Sequence, residues 1–432
     1  MASIKIGNNK LSGEVLIPPS KSMAHRAVIC ASLSNEESLI KNIDLSDDII
    51  ATINGMKALG AQIEILENSL RIKGINLNNK SFKEDRIIDC NESGSTLRFL
   101  IPIATLVNGT NRFIGRGNLG KRPLNIYYNI FENNNINYTY KENELDFVFS
   151  GKLKCGDFYV RGDVSSQFIT GLMFTLPLLN GDSKIIIEGN LESKGYIDLT
   201  LKALNDFGII IKNKNYKEFF IKGNQKYKGR EYKVEGDYSQ GAFFLCADAI
   251  GNKVLCDGLN INSLQGDKEV IDILERMGVK FEIKLDKIIG YSNETFGTII
   301  DASGCPDIIP ILSVVAALSN GKTEIINARR LRIKECDRLH AINLELSKLG
   351  AKIVEKEDSL IIYGIENFNG NVEVWSHKDH RIAMMLSIAA TRCKESIILK
   401  DFECVSKSYP RFFEDFKRLG GKVEWAEFLE TI

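Results

Sequence analysis

Charged and hydroxyl side chains gather at a few places in this sequence, and most of those places read as helix starts. SKSMAHRA from Ser20 combines Lys21 and Ser22 with Arg26 about one turn further along. ESGSTLRF from Glu92 offers Gly94, where a backbone can approach a ligand closely, with Arg98 a turn later. VSSQF from Val164 presents Ser165, Ser166 and Gln167 ahead of a strongly apolar run, and KECDRLHA sets two cations and two carboxylates between Lys334 and Arg338. Asp379, His380 and Arg381 open another apolar run, IAMMLSIAA. A helix start carries unpaired N–H groups and the positive end of the helix dipole, so with Lys or Arg beside it, it binds phosphate or carboxylate. The chemistry indicated is local anion binding, with His380 a group able to move protons.

Each cluster also has a plainer reading. Serines cap helices, and a charge run such as Lys334 to Arg338 sits comfortably on a solvated face. KSYP from Lys407 is by itself an ordinary loop. The segment from Asp379 to Arg381 resists that reading, because its helix is apolar almost all round and has no wet face to receive them. The chain contains no G-x-x-x-x-G-K-[ST], no G-x-G-x-x-G after a first strand and no H-E-x-x-H, which removes support for nucleotide folds and zinc proteases.

What must position these clusters is a repeat. An apolar helix face, a glycine and a short alternating strand recur as MKALGAQIEI, LKALNDFGIIIK, LERMGVKFEI, LSKLGAKIVE and FKRLGGKVEW. Their glycines are Gly60, Gly208, Gly278, Gly350 and Gly420, spaced by 148, 70, 72 and 70 residues, and 148 is twice 74. IFENNNINYTYKEN from Ile130 fills the gap as a sixth copy, with Asn in the glycine's place at a left-handed cap. A second, more apolar set of helices begins near Ser22, Ser93, Ser165, Ser239, Pro306 and Asp379. Each unit therefore reads as helix, strand, helix, hairpin.

With 432 residues, two bodies are expected rather than one core. The predicted fold class is α/β (α+β): two similar domains of three units, with buried apolar helices and outer sheets. The cuts fall near residue 20 and at Val234–Asp237, giving domain I as 1–20 plus 236–432 and domain II as 21–235. The segment Ile4–Ile17 is expected to form a hairpin that closes the final unit.

Composition narrows the function classes. Lys plus Arg and Asp plus Glu both number 56, so no global field favours nucleic acid. No apolar stretch approaches the roughly 18 residues of a membrane span, and the N-terminal segment lacks a signal-like pattern, so a soluble cytoplasmic protein without a membrane partner is expected. Nine cysteines are scattered without a C-x-x-C pair, which suggests neither a metal site nor a disulfide framework.

Eight segments in order resemble the EPSP synthase family of enolpyruvyl transferases: PPSKSMAHRA from Pro18, SGSTLR from Ser93, GKRPL from Gly120, VSSQFITGL from Val164, ESKGYIDLT from Glu192, RIKECDRL from Arg332, KDHRIAMM from Lys378 and KSYP from Lys407. The resemblance spans essentially the whole chain. It implies two hinged domains of three βαβαββ units each, with the active site in the cleft between them. It also implies transfer of the enolpyruvyl group of phosphoenolpyruvate to the 5-hydroxyl of shikimate 3-phosphate, releasing phosphate through a tetrahedral intermediate. That step serves chorismate and aromatic amino acid synthesis, needs no cofactor or metal, and is the target of glyphosate.

Carried over motif by motif, the resemblance assigns shikimate 3-phosphate to Lys21, Ser22, Arg26, Ser165, Ser166, Gln167, Ser193, Asp307 and Lys334. It assigns phosphoenolpyruvate to Lys21, Gly94, Arg122, Gln167, Arg338, Arg381 and Lys407. Asp307 matches the carboxylate that accepts the hydroxyl proton, and Glu335 the group that handles the methylene proton, with Lys21 and His380 as accessories. A monomer is expected. Glu92 stands where Asn is usual, Phe99 where some members have Pro, Gly195 where Pro is frequent and Arg330 where Asn is common.

Three other readings share part of this pattern. UDP-N-acetylglucosamine enolpyruvyl transferase shares the fold but usually carries a Cys or Asp in the loop that here reads GRGNLGK. RNA 3′-terminal phosphate cyclase would need nucleotide and RNA sites that the balanced charge does not favour. A silent anion-binding protein of the same fold would have no use for Asp307 and Glu335.

Overall fold

The computed structural model describes residues 2–77, 85–141 and 143–425. The chain forms two compact units, Met1–Pro18 with Gly236–Ile432 (unit 1) and Pro19–Glu235 (unit 2).

Both units are built from one motif, seen most simply around residues 157–221. Strand Asp157–Arg161 runs parallel to Ser183–Glu188, which pairs antiparallel with Glu218–Ile221, itself paired with Ile211–Lys214. Helices Ser166–Thr175 and Lys194–Asp206 fill the two connections, so the order is βαβαββ. Side chains alternate along the strands: in Asp157–Arg161, Phe158 and Val160 turn inward while their neighbours face solvent. Among the described residues there are six four-stranded sheets, all of this mixed kind.

Three sheets borrow a strand from far along the chain. In unit 2, Glu231–Lys233 runs parallel to Glu37–Lys41. In unit 1, Ser3–Ile6 lies between Ile397–Lys400 and Val423–Trp425, antiparallel to both. The expected hairpin across Ile4–Ile17 does not form. Its second strand, Ser12–Leu16, instead runs parallel to Lys253–Asp257 in another sheet. The switch is held by Asn252, whose Oδ1 accepts from Leu11 N at 2.7 Å, and by Lys253 N, which donates to Leu11 O at 3.0 Å.

The six more apolar helices form the cores. In unit 1 every residue of Tyr238–Ala249, Ile309–Ala317 and His380–Ala390 is buried. The helix expected near Pro306 begins at Ile309, which leaves Asp307 in the preceding turn. The amphipathic helices end at residues with positive φ: Gly60 (107°), Gly208 (83°), Gly278 (100°), Gly350 (95°), Gly420 (98°) and, as the sixth, Asn135 (56°). A left-handed residue there stops the helix and turns the chain into the hairpin. Among the described residues no helix is long and apolar enough to cross a membrane.

Candidate functional site

In unit 2 the inner helices are Lys21–Ser32, Gly94–Ala104 and Ser166–Thr175. Nearly all their residues are buried, and the exceptions, Lys21, Ser22, Ser95 and Gln167, all lie in first turns. Polar groups on otherwise apolar helices thus surface only where the free N–H groups are. Ser93 and Ser165 cap two of these starts, accepting from Thr96 N at 3.2 Å and Gln167 N at 3.3 Å.

Lys21 Nζ donates to Asp48 Oδ2 at 2.7 Å, Asp48 lying in the first turn of the neighbouring Asp47–Ala58 helix. Gln167 is gripped at both ends of its amide: Nε2 donates to Ser95 Oγ at 2.9 Å and Oε1 accepts from Arg98 Nη1 at 2.8 Å. Gly94 has a specific steric reason. A Cβ there would sit 2.4 Å from Arg122 Nη1, so only glycine lets that guanidinium rest against the helix start. Ser193 precedes helix Lys194–Asp206 with φ 54°, an unusual conformation for a side-chain-bearing residue.

Arg26 is buried and its donors turn inward, to Thr200 Oγ1 and Tyr196 O at 2.9 Å and to Ser22 O at 2.6 Å. Burial lowers it to about 10, so it stays charged at neutral pH. Phe99 is a core ring, edge-on to His25 and Phe174.

Unit 1 assembles a lattice of ion pairs. Arg338, 1% exposed, donates from Nε to Asp379 Oδ2, from Nη1 to Asp307 Oδ1 and from Nη2 to Glu335 Oε2, each at 2.7 Å. Asp307 also faces Lys334 Nζ at 3.3 Å and Arg381 Nη2 at 3.5 Å. Burial by itself would raise the Asp307 carboxyl, but Lys334, Arg381 and Arg338 together outweigh it and hold the group well below the usual range. Burial lowers Lys334, with Asp307 opposing. Asp379 caps the helix of His380 and Arg381, accepting from Arg381 N at 2.8 Å. His380 is 1% exposed with Nδ1 3.8 Å from Asp379 Oδ1, and Lys407 is buried at the end of the short helix Phe402–Lys407.

The structure therefore brings Asp307, Lys334, Glu335, Arg338 and Arg381 into direct contact in unit 1. In unit 2 it sets Lys21, Ser22, Gly94, Ser165, Ser166, Gln167 and Ser193 at helix starts, with Arg122 against Gly94. The sequence places Arg98 and Asp379 in candidate clusters without giving either a role, and it does not single out Asp48 or Asp267. Asp48 has a local signal, the Ser-Asp-Asp start of its helix. Asp267 has none: its carboxylate accepts from Ser239 Oγ, and burial followed by the Asp307 charge raises it to about 6 against the pull of Arg381.

A family model described as EPSP synthase (3-phosphoshikimate 1-carboxyvinyltransferase) matches residues 6–416. Curated relatives named 3-phosphoshikimate 1-carboxyvinyltransferase include one from Clostridioides difficile (strain 630), 66% identical over 98% of this chain and 99% of the relative. Another, from Clostridium beijerinckii, is 64% identical with the same coverage. Among solved structures the chain is similar to EPSP synthase from Acinetobacter baumannii, with a TM-score of 0.79 and 23% identity over 99% of this chain and 100% of that one. It is also similar to the enolpyruvyl transferase NikO from Streptomyces tendae, with a TM-score of 0.77 and 15% identity over 98% of both. At those identities the two structures establish the fold alone.

Proposed function

Because the chain belongs to the EPSP synthase family, we infer that it transfers the enolpyruvyl group of phosphoenolpyruvate to the 5-hydroxyl of shikimate 3-phosphate. The products are 5-enolpyruvylshikimate 3-phosphate and phosphate. The observation that carries this is 66% identity to a relative of that name along nearly the full length of both chains. UDP-N-acetylglucosamine transfer is not favoured, since the family model and the curated relatives quoted all carry the shikimate name.

The two clusters suggest how the work divides. In unit 2, Lys21, Ser22, Arg26, Ser165, Ser166, Gln167 and Ser193 offer hydroxyl, amide and cationic donors to the phosphate and ring hydroxyls of shikimate 3-phosphate, with Asp307 and Lys334 of unit 1 completing the set. Phosphoenolpyruvate takes Lys21, Gly94, Arg122 and Gln167, and its planar carboxylate suits the forks of Arg338 and Arg381, with Lys407 a compact charge for its phosphate.

In the first step the 5-hydroxyl oxygen bonds to C2 of phosphoenolpyruvate while Glu335 gives a proton to C3 and the hydroxyl proton passes to Asp307. In the second, the bond from C2 to the phosphate oxygen breaks, phosphate leaves with that electron pair, and C3 returns a proton through Glu335. Lys21 and His380 assist the proton transfers, and clustered cations stabilise the charge on the leaving phosphate.

The ion pairs around Asp307 support it as a base that the substrate itself activates. Held by three cations it is ionised but a weak proton acceptor. A substrate carboxylate that takes up Arg338 and Arg381 withdraws positive charge from Asp307 and raises its proton affinity toward the working range. We place the reaction in the cytoplasm, in a monomer.

The test is phosphate release from phosphoenolpyruvate with shikimate 3-phosphate, with UDP-N-acetylglucosamine, and with neither. Release only with shikimate 3-phosphate is expected, and Asp307→Ala should lower kcat by about a hundred- to ten-thousand-fold, the usual worth of a general base. Activity with the nucleotide sugar alone, or none from folded protein, would overturn the assignment.

A further inference from the structure

Four side chains form a hydrogen-bonded line through the interior of unit 2. His25 Nδ1 lies 2.7 Å from Thr52 Oγ1, Thr52 Oγ1 lies 2.7 Å from Thr96 Oγ1, and Thr96 donates to Ser93 Oγ at 2.8 Å. All four are buried, none more than 1% exposed. The polarity of the line follows from its last link. If Thr96 donates to Ser93, Thr52 donates to Thr96, and the proton of His25 sits on Nδ1 and donates to Thr52. His25 Nε2 is then a lone pair without a hydrogen bond, in a ring set edge-on to Phe99. Burial, countered only in part by Asp48, lowers the imidazole to about 3, so it stays neutral and acts as a fixed strut rather than a proton carrier.

The line joins three helix starts. His25 is one turn beyond Lys21, Thr52 one turn beyond Asp48, and Thr96 lies in the first turn after Gly94. Thr96 Oγ1 also lies 3.4 Å from the Asp48 carbonyl, a longer contact between the same two helix starts, so the line ties the Lys21–Asp48 pair to the Gly94 turn through Thr96. We propose that His25 and Thr52 are positioning residues for phosphoenolpyruvate, fixing Lys21 and the Gly94 turn in one register so that both meet the same anion. This rests on the reading above that Lys21 and Gly94 bind that substrate.

Thr52→Val cuts the line while keeping the side chain's shape, and Thr52→Ser restores it. Since displacements of about 1 Å in positioned groups cost up to a hundredfold, Thr52→Val is expected to raise the KM for phosphoenolpyruvate about tenfold with a smaller change in kcat. Thr52→Ser should return it to within about twofold of the parent. Should Thr52→Val not fold, Thr96→Val breaks the same line one link on and carries the same expectation. A folded Thr52→Val with a lowered melting temperature but unchanged KM would show a purely structural role and overturn the proposal, as would a Ser variant that restores nothing. Parent enzyme assayed alongside separates the two inferences: if it releases no phosphate with shikimate 3-phosphate, the reaction itself is wrong and the proposal falls with it.

Discussion

The two units share one βαβαββ motif yet equip it differently. Unit 2 places its polar groups on helix starts: Lys21, the Gly94 turn, and Ser165 and Gln167 at the start of a third helix. Unit 1 sets a buried guanidinium, Arg338, against Asp379, Asp307 and Glu335, with Lys334 and Arg381 close by. Donors at helix starts arise from local sequence and cost the fold little. A buried ion lattice is different, because each member keeps the others tolerable in a low dielectric. Substitutions in unit 2 should therefore register mainly in substrate affinity, and substitutions in unit 1 in folding and chemistry together.

The sharpest way to break that contrast is to remove the central cation of unit 1. Arg338→Met would leave three carboxylates short of positive charge, and removing one partner of a buried pair costs about 3–5 kcal/mol. Lys21→Met loses one charged hydrogen bond, to Asp48, and should cost about 1.5–3 kcal/mol. Urea midpoints of the two variants at neutral pH would measure this. Equal losses would mean that unit 1 tolerates its charges through solvent rather than through Arg338.

The same contrast explains what could be seen in the sequence. Helix starts, glycine ends and the period near 70 residues are local features, and the βαβαββ units follow them closely. Partners of Arg338 lie 3, 31 and 41 residues away, and only Glu335 falls within reach of a local pattern. Lys21 and Asp48 are 27 residues apart, joined because two helix starts are neighbours in space. The Ile4–Ile17 segment misled for a related reason: two short alternating runs look like a hairpin, while Asn252, far along the chain, draws the second into another sheet. Gly94 suggests close approach to a ligand from sequence, but the group it admits in the structure is the chain's own Arg122.

A second test concerns acid. His25 binds no proton in the folded chain until about pH 3, whereas the unfolded chain takes one up near 6.5. Its contribution to stability is complete above the unfolded value and is lost as pH falls from about 6.5 toward 3. By linkage this amounts to about 2–3 kcal/mol at pH 4.5. His25→Gln, which has no ring to protonate, should narrow the gap to the parent by that amount between pH 7.5 and 4.5 in urea titrations. Parallel pH profiles would show that the acid sensitivity lies elsewhere, for instance in the carboxylates of unit 1.

The smallest effect compares the repeats themselves. Five amphipathic helices end at glycine, while that of the second repeat ends at Asn135, left-handed at φ 56°. Gly60 tests the backbone term cleanly, since a Cβ there would come no nearer than 3.8 Å to Ile75 Cγ2, an ordinary contact. Gly60→Ala should thus cost about 1–2 kcal/mol, the price of a left-handed conformation for a residue with a Cβ. Asn pays less because its short amide tolerates that region, so Asn135→Gly should change stability by under about 1 kcal/mol, and in the stabilising direction. If Gly60→Ala proves neutral, the glycines were not selected for the conformation of the cap, and the match of Asn135 to the other five would be a coincidence of position rather than of physics.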